Sequence, residues 1–302
     1  MRHLWRTWPG RLGLVFASVL VVAALVSLVW TPHDPKKVIP RDKWLPISWA
    51  HPFGTDGGGK DLLSQVLVGA RTTLLVAVLT VLMAAVIGLT LGVLSAITPR
   101  VVGEAIAHVI DVLIALPTLI LALVFVAALG GSVWTLAFAL GLGSGVVLAR
   151  VVRAEVSRVL TQDYMVTATA SGSSTWRSVW RHILPNIAST VIVQLSLIAA
   201  LAVLAEAALS YLGLTPVSTP SWGRMLNELQ QTITVHPGAL VFPGLAVVSA
   251  TLGFNLLGDG LRDAVDPRLR GRSATVSPVI TSVVDRVDDP AVVPPVRRGV
   301  GE

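Results

Sequence analysis

Apolar residues along this 302-residue chain come in long uninterrupted blocks. They lack the alternating or three-to-four spacing of half-buried strands and surface helices. A helix needs roughly 20 apolar residues to cross a bilayer core. Six blocks reach or approach that length: Leu12–Trp30, Thr72–Thr98, Ile106–Leu129, Ser132–Ala149, Ile187–Ala205 and Gly238–Gly258. The pattern predicts an all-α integral membrane protein with six transmembrane helices.

Two blocks need a decision. Arg2, Arg6 and Arg11 precede the first, as they would a cleaved signal peptide. Signal h-regions run about 7–15 residues and end at small residues. This block has 19 residues and ends "SLVWTPH", so an uncleaved anchor is expected. The third block contains Asp111. A central aspartate costs ~2.5–3.5 kcal/mol on the insertion scale. Fifteen Leu, Ile, Val and Phe residues in the block contribute on the order of −5 to −9 kcal/mol, so the block inserts. Asp111 reads either as a proton or ion relay or as a polar anchor near a helix end.

Charge orients the spans. With the N-terminus inside, inner segments carry 16 Lys and Arg and outer ones 7. That bias predicts cytoplasmic N- and C-termini. The net charge of +6 on only 13% charged residues is then a property of span flanks, and no nucleic-acid partner is expected. The resulting organisation is an N-terminus (1–11), a first transmembrane helix (12–30), an extracytoplasmic segment (31–71) and a five-helix core (72–260). The core carries a cytoplasmic loop at 150–185 and an extracytoplasmic loop at 206–237. A cytoplasmic tail (261–302) is expected to be mostly disordered after 273.

Candidate chemistry is sparse. "GTDGGGKD" places Gly54, Gly59 and Lys60 at the spacing of a phosphate-binding loop, but Asp61 stands where Ser or Thr must hold Mg²⁺. A glycine-rich turn, with Asp61 near the start of the helix into the second span, is the expected structure. There is no cysteine, and the six histidines form no H-E-x-x-H, so no metal or catalytic residues are expected. "GLGSG" at 141–145 reads as small residues permitting close helix packing.

Residues 150–185 are more informative. Tyr164 to Ala170 can form a short helix that Gly172 ends in a left-handed cap. Ser173, Ser174 and Thr175 can cap a second helix. There Trp176, Val179, Trp180 and Ile183 recur at i, i+3, i+4 and i+7, making one apolar face. Arg177 and Arg181 lie on another face, and Pro185 ends this helix. Such a pair of helices can lie in the headgroup layer or dock into a groove on a soluble partner.

The segment "RVVRAEVSRVLTQDYMVTATASGSSTWRSVWRHILPN" resembles the cytoplasmic coupling loop of type I ABC importer permeases, centred on an E-A-A…G…L-P pattern. Ala168, Gly172, Leu184 and Pro185 match it. Val166, Thr167, Thr169 and Ser171 depart from it. Three further stretches are similar to peptide/nickel-type permeases: "HPFGTDGGGKDLLSQVLVGAR", "EAALSYLGLTPVSTPSWGRML" and "NLLGDGLRDAVDPRLR". Together they resemble the C-type subunit of dipeptide/oligopeptide permeases over residues 12 to 272.

The resemblance implies the type I ABC importer permease fold and a multi-pass protein of a prokaryotic cytoplasmic membrane. It implies a second, B-type permease subunit, two ABC ATPase subunits that bind ATP and Mg, and an extracytoplasmic binding protein. The chain itself is expected to be non-catalytic and to hold no cofactor. Tyr164, Thr167, Ala168, Gly172, Ser173, Trp176 and Arg177 are the implied ATPase contacts. Glu206, Tyr211 and Trp222 are implied at the binding protein or outer gate, and an interfacial aromatic belt explains Tyr211 and Trp222 equally well. Cargo is expected to be di- or oligopeptides, with nickel chelates or haem-like compounds as alternatives within the family. A proton-coupled carrier using Asp111 is the reading from another class, and a non-transporting scaffold leaves the coupling loop unaccounted for.

Overall fold

The structure, a computed structural model, describes residues 8–165, 174–216 and 219–265. In chain order the described helices are α1 (Trp8–Val29), α2 (Leu62–Ile97), α3 (Arg100–Ile114), α4 (Thr118–Leu129) and α5 (Val133–Leu160). They are followed by α6 (Thr175–Tyr211), then α7 (Trp222–Gln230) and α8 (Gly238–Val265). Five are long and apolar enough to span a membrane, and the pair α3–α4 makes a sixth if counted as one bent span. The described residues thus give five or six crossings where six were predicted, with different edges. The tail beyond 265, including the region expected to be disordered, lies outside the described residues.

The third block is broken. α3 and α4 meet at an angle of 80°, where a single span was expected over Ile106–Leu129. The cause is Pro117, which has no N–H to give and whose ring opposes the carbonyl four residues back. α3 tightens before it: Ala115 N–H donates to Val112 O and Leu116 N–H to Leu113 O. α4 then restarts, with Leu121 N–H on Pro117 O.

The other helices outrun their apolar blocks. α2 has 36 residues, or ~54 Å of helix, against a hydrocarbon core of ~30 Å. It starts ten residues before Thr72 because Asp61 caps it: Asp61 Oδ2 accepts from Ser64 N–H at 2.8 Å. α5 continues past Ala149 to Leu160, so Arg150, Arg153 and Arg158 stand on helix rather than loop.

α2 and α5 approach closely because glycine faces a side chain at every turn of their seam. A Cβ on Gly88 would lie 2.6 Å from Leu148, on Gly92 2.6 Å from Val152, on Gly141 2.5 Å from Met83 and on Gly145 2.9 Å from Ile87. The 141–145 stretch was expected to permit close packing, and the contact is to α2. Next to the seam, one cluster joins Val152, Val156 and Val159 of α5 to Val179, Ile183 and Ile187 of α6.

The segment between α1 and α2 is folded. Asp56 Oδ1 accepts from Gly58 N–H and Lys60 N–H, and its Oδ2 accepts from Gln65 Nε2. Gly59 has φ +77°, and a Cβ there would lie 1.9 Å from Ile39 O, so only glycine fits. Trp44 stacks on His236 and Phe53 on Phe242, at 4.1 and 4.2 Å between ring centroids. The amides a phosphate would need are taken by Asp56 and Asp61. The glycine-rich turn is the structure present here.

Candidate functional site

Two regions hold the residues singled out by the sequence. The first is the end of the bundle where α5 stops and α6 begins. α6 does not start at Pro185, as expected, but runs unbroken from Thr175 to Tyr211. Pro185 cannot donate to a carbonyl four residues back. The preceding turn, Val179–Ile183, widens to a π-turn in which Leu184 N–H donates to Val179 O. The helix thereby passes the proline instead of ending.

The expected single apolar face of Trp176, Val179, Trp180 and Ile183 is split. Val179 and Ile183 are buried against α5, whereas Trp176 and Trp180 are 60% and 70% exposed. The bundle takes the Val179–Ile183 edge of this face and leaves the tryptophan edge uncovered. Arg177 and Arg181 are exposed on this same short stretch. Tyr164 is exposed, with its ring 6.4 Å from that of His182, and Met165 beside it is buried. Thr167, Ala168, Gly172 and Ser173 lie outside the described residues. So do most of the first short helix and the left-handed cap.

The second region is the far end of α6. Glu206 was placed in an extracytoplasmic loop with Tyr211 and Trp222, but the helix continues through it to Tyr211. Glu206 is fully buried. Its carboxylate accepts from Ser210 Oγ at 2.7 Å and from Thr73 Oγ1 of α2 at 3.1 Å. Trp222 is also inside, at 3% exposure. Its ring lies over Gly69, and its Nε1–H donates to Val66 O at 2.8 Å. α7 folds back so tightly that a Cβ on Gly223 would lie 2.0 Å from Ala207 O of α6. These two residues therefore join α2, α6 and α7 to one another and leave no side chain for an outer partner. Tyr211 alone of the three is exposed, and its hydroxyl donates to Gln230 of α7. Burial of Glu206 had one sequence signal, a lone glutamate inside "AALAVLAEAALSYLG".

Asp111 pairs across helices with Arg150 of α5 at 2.5 Å, both side chains 57% exposed. The fold also gathers residues the sequence left scattered. His33, His51 and Asp61 bring their donor atoms within 4.8 Å of one another.

Long apolar helices, a bent span and a glycine-packed seam define a multi-pass membrane protein. Residues 88–271 match the binding-protein-dependent transport system inner membrane components, and the chain belongs to this family. It is 36% identical over 259 residues to a putative peptide permease protein of Brucella suis biovar 1, covering 85% of this chain and 86% of that protein. It is 33% identical over 259 residues to a dipeptide transport system permease protein of Alkalihalophilus pseudofirmus, covering 85% of each. A putative peptide transport system permease protein of Brucella suis biovar 1 is 36% identical over 280 residues, 89% of this chain and 91% of that protein.

Proposed function

We propose that this chain is the C-type permease subunit of an ATP-driven importer for di- or oligopeptides. It forms half of a translocation pathway with a B-type permease subunit in a prokaryotic cytoplasmic membrane, both termini cytoplasmic. An extracytoplasmic binding protein delivers the peptide. Two ATPase subunits bind ATP and Mg, and this chain hydrolyses nothing. Peptide cargo is supported by the names of its relatives, at 33–36% identity over most of both chains.

The observation that carries the coupling role is the pair of tryptophans left exposed at the start of α6. A large aromatic beside arginines is the composition of a protein-binding hot spot. Tyr164, Thr167, Ala168, Gly172, Ser173, Trp176 and Arg177 form the ATPase contact in this reading, with Trp176 its apolar anchor. Movement imposed there by ATP-driven closure passes along α5 and α6, because Val179 and Ile183 clamp the two together.

The test is uptake of a labelled dipeptide by cells carrying Trp176→Ala or Gly172→Val. Both variants should insert normally, and the isolated Trp176→Ala chain should melt like wild type because its ring is exposed. Uptake should fall at least tenfold, the effect of losing about 1.4 kcal/mol at a hot spot. Normal uptake in both variants refutes the coupling assignment.

A further inference from the structure

We propose that His33, His51 and Asp61 form a binding site for a divalent transition-metal ion of the zinc class. The three residues come from separate parts of the α1–α2 segment: its start, the turn that precedes "GTDGGGK", and the cap of α2. Two imidazoles and one carboxylate are the donor set that zinc, nickel and cobalt accept, and one that calcium and magnesium do not favour.

The distances fit. Asp61 Oδ1 lies 2.9 Å from His51 Nδ1 and 3.7 Å from His33 Nδ1. Donors on metal bonds of about 2.1 Å stand at these separations when the angles at the metal are about 90° and about 120°. The two rings stack with centroids 4.5 Å apart and planes inclined by 27°, and both turn Nδ1 toward the same carboxylate oxygen.

The surroundings hold the donors in place. Asp61 divides its oxygens. Oδ2 accepts from Ser64 N–H at 2.8 Å and from Ser64 Oγ at 2.7 Å. Oδ1 is left to the imidazoles. Ser64 Oγ also accepts from the His33 backbone N–H at 3.0 Å, tying the first histidine to the cap. Such outer contacts orient metal ligands and are part of a working site. Access is graded, since the side chains of Asp61, His51 and His33 are 0%, 13% and 41% exposed. An ion therefore enters past His33, and water fills the remaining positions. Bound metal would fasten the exit of α1 to the entry of α2.

The experiment uses the full chain in detergent, without a histidine tag, stripped with a chelator. It is titrated with Zn²⁺, desalted and assayed for metal per chain, and titrated with Co²⁺ while visible absorption is followed. Wild type should retain one Zn²⁺ per chain. His33→Ala and His51→Ala should each weaken binding by at least the ~10–100-fold that loss of a mere outer-shell partner costs. His108→Ala, far along on α3, should bind as wild type does. His33 is half-exposed, so its variant should keep the wild-type far-ultraviolet circular dichroism. Substoichiometric Zn²⁺ on wild type overturns the proposal without reference to any variant. So does unchanged affinity in the two histidine variants.

Discussion

Gly92→Ala tests the seam between α2 and α5 directly. The new methyl carbon would stand 2.6 Å from Val152 Cβ and Cγ1 and 2.7 Å from Ala149 O. Carbon atoms pack best at about 3.5–4.0 Å, so the helices must separate by about 1 Å. Val152 is fully buried and Ala149 O is backbone, so neither can step aside. Overpacking of this kind costs typically 1–3 kcal/mol. The better helix propensity of alanine returns about 1 kcal/mol. The expected net loss is about 0–2 kcal/mol, a fall of up to roughly 8 °C in thermal midpoint on the scaling of soluble domains. Gly244→Ala is the control, because it makes the same chemical change in α8 where a Cβ meets nothing within 4 Å. It should leave the midpoint unchanged or raise it. The assay is thermal unfolding of the purified chain, followed by the loss of monodisperse protein. Equal effects at the two glycines would refute the reasoning, because propensity alone predicts the same sign at both.

Two further outcomes follow from buried and exposed polar groups. Glu206→Ala leaves the hydroxyls of Thr73 and Ser210 without their acceptor, which should cost about 2–4 kcal/mol; Glu206→Gln, which retains an oxygen there, should cost clearly less in the same unfolding assay. Asp111→Asn removes a half-exposed pair with Arg150, worth no more than about 1 kcal/mol, and should leave peptide uptake intact, whereas a proton relay would be abolished by it.

The apolar blocks were enough to place the five long helices and the bent pair α3–α4, because lipid demands length and hydrophobicity before anything else. The blocks missed where helices end. The start of α2 at Leu62, behind its Asp61 cap, and Arg158 at the end of α5 lie on helix beyond the apolar runs, since capping and helix continuation obey backbone hydrogen bonding rather than solvent preference. Pro117 and Pro185 show the limit most sharply. The same residue type breaks one helix by 80° and is absorbed by a π-turn in another. The turn before Pro185 packs on partners distant in sequence, Val152 and Val156, whereas Leu116 beside Pro117 is exposed. At the candidate site, the 3.6-residue period located Trp176 and Trp180 but could not tell that α5 would claim Val179 and Ile183 alone. His33, His51 and Asp61 are 18 and 10 residues apart, a spacing without meaning until the segment folds back on the α2 cap.

Because the π-turn carries α6 past Pro185, the helix is a single rod of 37 residues, about 55 Å from end to end. A rod that long behaves as a lever. Tilting it by about 5° about its first turn swings the other end through about 5 Å, with every internal hydrogen bond kept. Trp176 stands at one tip and the Glu206–Ser210 pair near the other. A small displacement of the exposed tryptophans would thus reach Thr73 and α7 as a large one, magnified by leverage and needing no melted joint between them.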